Sequence, residues 1–270
     1  TALAAGVTTI TATGISSGKS ATATLSVLSG NDGNFGNPLM SKGLEVTITE
    51  VIIPEDLKPE VRFIATSELG EVVPLVELTT AQFLIAYLEN DTPEYSSAAY
   101  ASYFTRTEAP EGLPSATQAT YDGNGLNGLI ANDDGTYTYK CLSPLPADYD
   151  PSETHAVGGQ FRRTSLFDGN VYVANAVLEF RPDGNPILQT RDIVATASCN
   201  DCHTRLSLHG DVRRDVRLCI LCHNPGSTDA NSGNTVDMPV MIHKIHMGAE
   251  LPSVQAGEPY QIIGYRDSVH

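Results

Sequence analysis

The sequence has no long apolar run. None of its 270 residues belongs to a stretch that approaches the roughly 18 to 20 consecutive apolar residues of a membrane-spanning helix. Its first residues, Thr1 to Val7, also lack the basic leader and the apolar segment of a signal peptide. These absences predict a chain without a transmembrane segment, whose export signal, if it is exported, has been removed.

Basic residues are scarce as well. The chain has 16 Lys and Arg residues against 32 Asp and Glu residues, which gives a formal net charge of −16. Such a surface repels a phosphate backbone and excludes nucleic acid as a partner. It favours basic proteins, metal cations and positively charged mineral surfaces, and the alternative is that the acidity serves only solubility.

Cysteine is rare, and four of the five cysteines fall into two copies of one motif. The motif is Cys-x-x-Cys-His, and its copies consist of Cys199, Cys202 and His203, and of Cys219, Cys222 and His223. In this motif the two thiols bond covalently to one haem, and the histidine becomes an axial ligand of its iron. The sequence therefore predicts two haem c groups. Because haem c is attached outside the cytoplasm, we expect an exported protein.

A structural zinc site is the alternative interpretation of these cysteines. Sixteen residues separate Cys202 from Cys219, a spacing that also occurs in zinc ribbons with four cysteine ligands. A ribbon would use the four sulfurs and would not need the histidines. Haem is the preferred interpretation, because both cysteine pairs are followed at once by histidine and further histidines follow in the rest of the chain.

A low-spin electron carrier needs a second axial ligand on each iron, most plausibly histidine. His243 and His246 lie in a stretch with the signals of a short helix, namely Asp237 as an N-cap candidate, Pro239 in the first turn and Gly248 beyond the end. Residues at positions i and i+3 share one helix face. The two imidazoles therefore cannot bind opposite sides of one iron, and each is expected to serve a different haem.

His209 is the third candidate for a distal ligand. It follows His203 by six residues, and so short a segment would be strained if it reached the far side of its own haem, so we expect it to serve the neighbouring one. The last residue, His270, is a weaker candidate. This surplus predicts that at least one histidine binds a haem held by a further segment or by another subunit. Three methionines are lower-ranked alternatives: Met238, Met241 and Met247.

Other site chemistries fit less well. His243 and His246 lack the glutamate and the i, i+4 spacing of a zinc-protease motif. The oxygen-rich segment from Asp229 to Asp237 departs from the EF-hand spacing, so it is expected to be a solvated loop rather than a calcium site. Gly14 to Gly18 matches the nucleophile-elbow pattern only formally, because no apolar strand leads into it, and is expected to be a turn.

The first two thirds of the chain alternate apolar and polar residues at the period of a β-strand. The clearest segments are 44–48, 61–65, 136–142, 155–164 and 171–180; the short apolar run 83–88 is a further predicted strand, and 21–27 is a candidate edge strand. Residues 1–190 are therefore predicted to form an antiparallel β domain, either a barrel or a sandwich. Residues 191–270, where cysteine and histidine appear, are predicted to form a small dihaem domain of short helices and loops.

Three further features of the β region receive structural interpretations. Residues 90–122 are rich in Tyr, Ser, Ala and Pro and are expected to be a long loop packed onto the domain rather than a docking surface. Cys141 shares a strand face with Tyr137 and Tyr139 and is expected to be a small buried apolar residue. His155 begins a strand and is expected to be a structural histidine with satisfied hydrogen bonds.

With these motifs in view, the chain resembles the OmcA/MtrC family of outer-membrane multihaem c-type cytochromes. The similarity covers Cys199–Gly210, Cys219–Pro225, Gly233–Met238 and Met241–His246, and also Leu44–Ile48 and Asp134–Tyr139 in the β region. It implies a mainly β N-terminal domain, a split and Greek-key-like antiparallel barrel, followed by a small loop-rich α multihaem domain with bis-histidine ligation. Family members carry more haem motifs, so the chain is expected to be part of a longer protein or to act beside other haem proteins.

The predicted function is electron transfer at the extracellular or outer-membrane surface rather than in the periplasm. The resemblance implies metal oxides, flavins or partner cytochromes of an outer-membrane conduit as acceptors, and homo-oligomers that share haem ligands are a further option. An electron carrier is preferred to an enzyme in the strict sense. Two alternatives are a terminal reductase with one open iron site and a docking or adhesion β module that displays haems.

Overall fold

The computed structural model describes residues 6–13, 20–27, 41–89, 98–264 and 267–270. The chain divides into two compact units, Thr1–Pro38 and Leu39–His270. In the first unit, β1 (Gly6–Thr13) pairs with β2 (Ser20–Val27) in antiparallel register. This pair confirms the strand predicted at 21–27, whereas the turn predicted at Gly14 to Gly18 lies outside the described residues.

The second unit is built on two four-stranded antiparallel sheets. The first sheet contains β3 (Glu45–Ile52), β4 (Glu60–Thr66), β9 (Leu129–Ala131) and β10 (Tyr137–Lys140), in the order β3-β4-β10-β9. The second contains β5 (Leu78–Glu89), β6 (Ala99–Ser102), β11 (His155–Thr164) and β12 (Val171–Phe180), in the order β12-β11-β5-β6. A separate pair consists of β7 (Thr105–Glu108) and β8 (Ala116–Ala119). All five of the clearest predicted strands are present, and so is the strand predicted at 83–88.

The core lies where the apolar sides of the two sheets meet. Phe63 of the first sheet contacts Phe83 and Phe161 of the second, with ring centroids 5.2–5.5 Å apart and all three side chains fully buried. These residues belong to the buried faces of their strands, which is why the alternation was visible in the sequence. Hydrogen bonding among the described strands leaves the two sheets separate, so they close no barrel between them.

The prediction of a long loop over residues 90–122 is wrong for the part that is described, residues 98–122. Three short strands, β6, β7 and β8, lie in this segment. Tyr100 is buried on β6, and the Tyr103 hydroxyl reaches Nε2 of His155 at 2.8 Å, so these aromatic side chains pack within the domain. These three strands have only four residues each, which gives few alternations to recognise; β10 is equally short but follows the turn at Asp133–Gly135, which made it easier to predict. Tyr95 lies outside the described residues.

Cys141 and His155 have the structural roles that were predicted for them. Cys141 is buried, and burial raises the pKa of its thiol, so it remains an apolar thiol rather than a thiolate. His155 is also fully buried; its Nδ1 donates to the Glu153 carbonyl at 2.9 Å, which leaves Nε2 to accept from Tyr103. Both residues therefore belong to the scaffold.

Short helices follow the last strand, as predicted. They are α1 (Thr196–His203), α2 (Val216–Cys219), α3 (Met238–Met247) and α4 (Pro252–Gln255). The first motif lies at the end of α1, and the second runs out of α2. Among the described residues, no helix has the length and apolar character needed to cross a membrane.

The second motif packs directly on the sheet that contains β11. Leu218 and Leu221 are fully buried and belong to the same apolar core as the strands. They approach the backbone of Gly158 so closely that a Cβ atom there would lie 2.6 Å from Leu218 Cδ1 and 2.7 Å from Leu221 Cδ1. A glycine on β11 is therefore what allows α2 to rest on the sheet.

We expect Gly158→Ala to lower the free energy of unfolding by about 1–3 kcal/mol, because the added methyl group overpacks this contact. Denaturant unfolding followed by far-UV circular dichroism measures the change. Gly123→Ala is the matched control, since its Cβ would sit at an ordinary 3.7 Å from Leu142 Cδ2, and it is expected to change stability little. Equal stability of the two variants would contradict the close contact.

Candidate functional site

All six motif residues line one cavity with a volume of about 810 Å³. Three of the predicted distal ligands, His209, His243 and His246, line it too. Most of the remaining wall is apolar and includes Ile193, Val194, Leu206, Leu208, Leu218 and Ile242. A largely apolar cavity with a few convergent polar groups is the usual form of a site for a large cofactor.

The first motif is the more exposed of the two. Cys199 is exposed to an intermediate degree, whereas Cys202 and His203 are exposed on the last turn of α1. Thr204 follows with a φ of 56°, in the left-handed region that residues with a side chain rarely adopt, and this ends the helix at once. The helix α1 therefore ends at His203, which lines the cavity.

The second motif is more deeply buried. Asp215 caps α2 by accepting a hydrogen bond from the Arg217 backbone at 2.9 Å. Burial raises the pKa of the Cys219 thiol to about 12, with a further contribution from Asp215, and burial raises the pKa of Cys222 to about 11. Both thiols are therefore protonated at neutral pH, which does not suit a catalytic thiolate.

The motif histidines are each matched by a second histidine across the cavity. The ring centroids of His203 and His246 lie 6.0 Å apart, with an angle of 79° between the rings. Those of His209 and His223 lie 5.9 Å apart, with an angle of 40°. Two imidazoles that bind one metal from opposite sides, through bonds of about 2 Å each, place their ring centroids roughly 6 Å apart. Both pairs therefore have the spacing of axial ligands.

Backbone carbonyls orient two of these rings. Nδ1 of His223 donates to the Val236 carbonyl at 2.9 Å, and Nδ1 of His246 donates to the Ile242 carbonyl at 2.8 Å. With Nδ1 committed in this way, Nε2 is the nitrogen that remains to bind a metal. This second hydrogen bond is what holds most metal-binding histidines in place.

His209 lies on a tight loop with an unusual backbone. Its φ is 54°, and Asp211 follows at 68°, while Leu208 and Arg213 form an isolated bridge across the loop. Although His209 is accessible from the cavity, burial lowers the pKa of its ring to about 4, and the charge of Arg213 lowers it further. The ring is therefore neutral at physiological pH, the form that binds a metal.

The other candidate ligands are placed differently. His243 lines the cavity, and its Nδ1 donates to the Pro239 carbonyl at 2.6 Å, but the described ring contacts do not pair it with another histidine. His270 does not line this cavity and contacts the Ser268 hydroxyl at 3.0 Å. Met238 and Met241 are buried in the cavity wall, whereas Met247 is exposed outside it. The histidine pairs are thus better placed than the methionines.

Two local predictions near α3 are confirmed with a qualification each. Asp237 occupies the predicted N-cap position, but its side chain makes no capping hydrogen bond. The segment after Asp229 is a loop in which Asn231 and Gly233 are exposed, but the Asp229 carboxylate itself is buried and accepts from the backbone of Asn231 at 3.1 Å and of Ile263 at 2.8 Å. Among the residues that the structure describes, no three His, Cys, Asp or Glu side chains form a group that could hold a metal ion.

Arg213 belongs to the site although no sequence motif marks it. It lines the cavity, its Nε donates to Gln160 Oε1 at 3.0 Å, and its guanidinium lies 5.0 Å from the centroid of the Tyr121 ring. The available signal was the pair Arg213-Arg214 in a strongly acidic chain. Such a pair does not by itself indicate which arginine faces a cofactor.

Comparison with known proteins shows which proteins this chain is similar to. Residues 191–266 match the family model described as outer membrane cytochrome MtrC/MtrF-like, domains II/IV. The multiheme cytochrome MtrC of Shewanella baltica (strain OS185) is 29% identical over 202 residues, which cover 68% of this chain and 30% of that protein. The chain thus spans less than a third of the length of that relative.

Two crystal structures share the fold. The outer membrane decaheme cytochrome OmcA superposes with a TM-score of 0.67 at 22% identity, over 85% of this chain and 37% of that one. MtrC from Shewanella baltica OS185 gives a TM-score of 0.56 at 25% identity, over 78% of this chain and 34% of that one. Antiparallel sheets followed by a small helical region are the predicted fold class, which is confirmed. The resemblance predicted from the motifs is confirmed too: the family model, the curated relative and both structures show that the chain is similar to the OmcA/MtrC family of outer-membrane multihaem cytochromes.

Proposed function

We propose that the chain is an electron-transferring part of an outer-membrane cytochrome and holds two haem c groups, each between two histidines. The pairing of four imidazoles at 5.9 and 6.0 Å, in the cavity that both cysteine motifs line, carries this proposal. When bound, a haem iron between two imidazoles supplies a one-electron couple without an open position for substrate. The role of the protein is therefore to hold, space and insulate the two groups.

The residues that would hold the first haem belong to α1 and α3. Cys199 and Cys202 would form the thioether bonds, with His203 and His246 as axial ligands. This assignment is supported by the position of His246 on α3, where its Nδ1 is already committed to a carbonyl. The neighbouring apolar side chains, which include Val194 and Ile245, would exclude water from the macrocycle.

The second haem would be held by Cys219 and Cys222, with His223 and His209 as axial ligands. His209 follows the first motif in the chain but would serve the second haem, so the loop between the motifs would tie the two groups together. His243 is left as a ligand candidate for a haem from another segment or from another subunit, a second copy of this chain included. The boundary near residue 190 is part of this proposal, and the family match that begins at residue 191 supports it.

We further propose that the chain acts at the extracellular face of the outer membrane, after export and removal of its signal. The supporting observations are the similarity to this family and the names of the similar proteins, which place OmcA and the matched family in the outer membrane. Other multihaem cytochromes of an outer-membrane conduit are the proposed partners. Metal oxides or flavins are the proposed acceptors, and the net charge of −16 suits a positively charged mineral surface.

The chain is expected to carry two haems when it is exported by a host that matures c-type cytochromes. Mass spectrometry counts the haems, and the optical spectrum should contain only low-spin bands. Cys219→Ala combined with Cys222→Ala is expected to leave one haem, because no thioether bond can then form at the second motif. Cys141→Ala is the matched control and should retain two, since Cys141 is buried in the β core.

Three results would contradict this proposal in different ways. A colourless mature protein would remove the haem assignment altogether. Zinc bound to the four cysteines would support the ribbon instead. A high-spin fraction in the unaltered protein would indicate an open iron and favour the terminal reductase over the carrier.

A further inference from the structure

Arg213 lies near the second motif, and the side chains that contact it are uncharged. Gln160, a buried residue of β11, accepts from its Nε at 3.0 Å, and the Tyr121 ring faces its guanidinium at 5.0 Å. The same arginine lines the cavity together with His209 and His223. The hydrogen bond to Gln160 and the contact with the Tyr121 ring therefore fix the guanidinium, and its positive charge lies next to the cavity.

The other arginines of this segment are paired with carboxylates. Arg205 and Arg214 contact Asp211 at 3.2 and 2.8 Å, and Arg217 contacts Glu179 at 2.7 Å. In the described part of the chain, no carboxylate lies within ion-pair distance of Arg213. Its electrostatic field is consequently not cancelled locally.

The two motifs differ in their surroundings. At the first motif Cys202, His203 and His246 are all exposed. At the second, His209 is also exposed, but Cys219 is buried, Cys222 and His223 are half-buried, and the charge of Arg213 lies nearby. A low dielectric and a nearby positive charge both disfavour an additional positive charge. The ferric form of a haem carries one positive charge more than the ferrous form.

We propose that Arg213 raises the reduction potential of the haem at Cys219 and Cys222 above that of the haem at Cys199 and Cys202. This inference rests on the proposed function, because it requires both haems. Net charge and exposure to solvent are established determinants of the potential of a metal centre. Arg213 is thus a tuning residue that acts through its charge and forms no bond to the iron.

A redox titration followed by optical spectroscopy tests the proposal on the complete dihaem chain. The unaltered protein should show two one-electron components. Arg213→Gln should lower the higher potential and leave the lower one in place, changing the ratio of reduced to oxidised haem about tenfold at a fixed applied potential. For a one-electron couple this corresponds to about 59 mV. Arg213→Lys retains the charge and should retain most of the higher potential.

The control is Arg217→Gln, because Arg217 is exposed, does not line the cavity and is already paired with Glu179. It should move neither component. A second measurement uses the variant that lacks Cys199 and Cys202, in which the one remaining component should still respond to Arg213→Gln.

The outcomes separate the two proposals. Haem stoichiometry is measured first, and a count other than two would count against the proposed function. Two haems with unchanged potentials in Arg213→Gln would overturn the role of Arg213, as would a shift confined to the lower component. An equal shift in Arg213→Lys and Arg213→Gln would also overturn it, because the effect would then not follow the charge.

Discussion

Replacing His246 with alanine is expected to convert one of the two proposed haems from low-spin to high-spin, and replacing His209 is expected to convert the other. Each substitution removes one imidazole of a pair whose ring centroids lie 6.0 or 5.9 Å apart. The iron would lose one axial ligand while the covalent attachment remains intact. Magnetic circular dichroism should therefore show half of the haem as high-spin in each single variant and all of it in the double variant, with the haem count unchanged.

His243→Ala is the matched control for this experiment. His243 lies on the same helix as His246, one turn away, and lines the same cavity. Unlike His246, it has no ring contact with a second histidine among the residues that the structure describes. It should leave both haems low-spin. Added imidazole should restore the low-spin spectrum of His246→Ala, because it can occupy the vacated space. A high-spin signal in His243→Ala, with none in His246→Ala, would reverse the assignment on α3.

Local patterns allowed much of the fold to be predicted. The six predicted strands could be recognised from the placement of their apolar residues, because apolar side chains on them are buried between the two sheets, as Phe63 and Phe83 are. Both ends of α3 could be predicted, because proline is favoured in the first turn of a helix, where Pro239 lies, and glycine is favoured just after the last turn, where Gly248 lies. The motifs gave the candidate ligands directly, because covalent attachment fixes the spacing of the residues involved.

Contacts between distant segments could not be predicted in this way. Arg213 is placed by Gln160, which lies 53 positions away in the sequence. The packing of α2 on the sheet requires a residue without a side chain at position 158, and this requirement becomes visible only in the folded structure. The buried state of Asp229 depends in the same way on Ile263, which comes from a different part of the chain. Such features follow from tertiary packing rather than from local preference.

The shared core bears on the role of the β region. Leu221 of the second motif and the preceding Leu218 are buried in the same cluster as Val157 and Phe161 of β11. An independent docking module would be expected to have a core of its own, joined to the haem-binding part by few contacts. The observed packing favours a scaffold that fixes the position of the second motif.

Glu77→Gln is expected to lower the free energy of unfolding by about 3–5 kcal/mol, because it removes one partner of a buried ion pair. Both side chains are fully buried, and Arg163 Nε donates to the Glu77 carboxylate at 2.7 Å. The same carboxylate accepts from the Leu166 backbone at 2.9 Å, while Arg163 also donates to the Gly43 and Ser41 carbonyls at 2.8 Å. The variant would keep the shape of the side chain but leave the arginine charge without this carboxylate.

Chemical denaturation measured by far-UV circular dichroism is suitable for this test, since the chain contains no tryptophan. Glu108→Gln is the control, because the Glu108–Arg106 pair is exposed, and pairs of this kind contribute little. Combining Glu77→Gln with Arg163→Met should cost less than the sum of the two single substitutions, because the remaining charge is removed as well. If Glu77→Gln were no more destabilising than Glu108→Gln, the buried pair would not hold the Ser41–Gly43 segment and the β11–β12 turn together as the structure indicates.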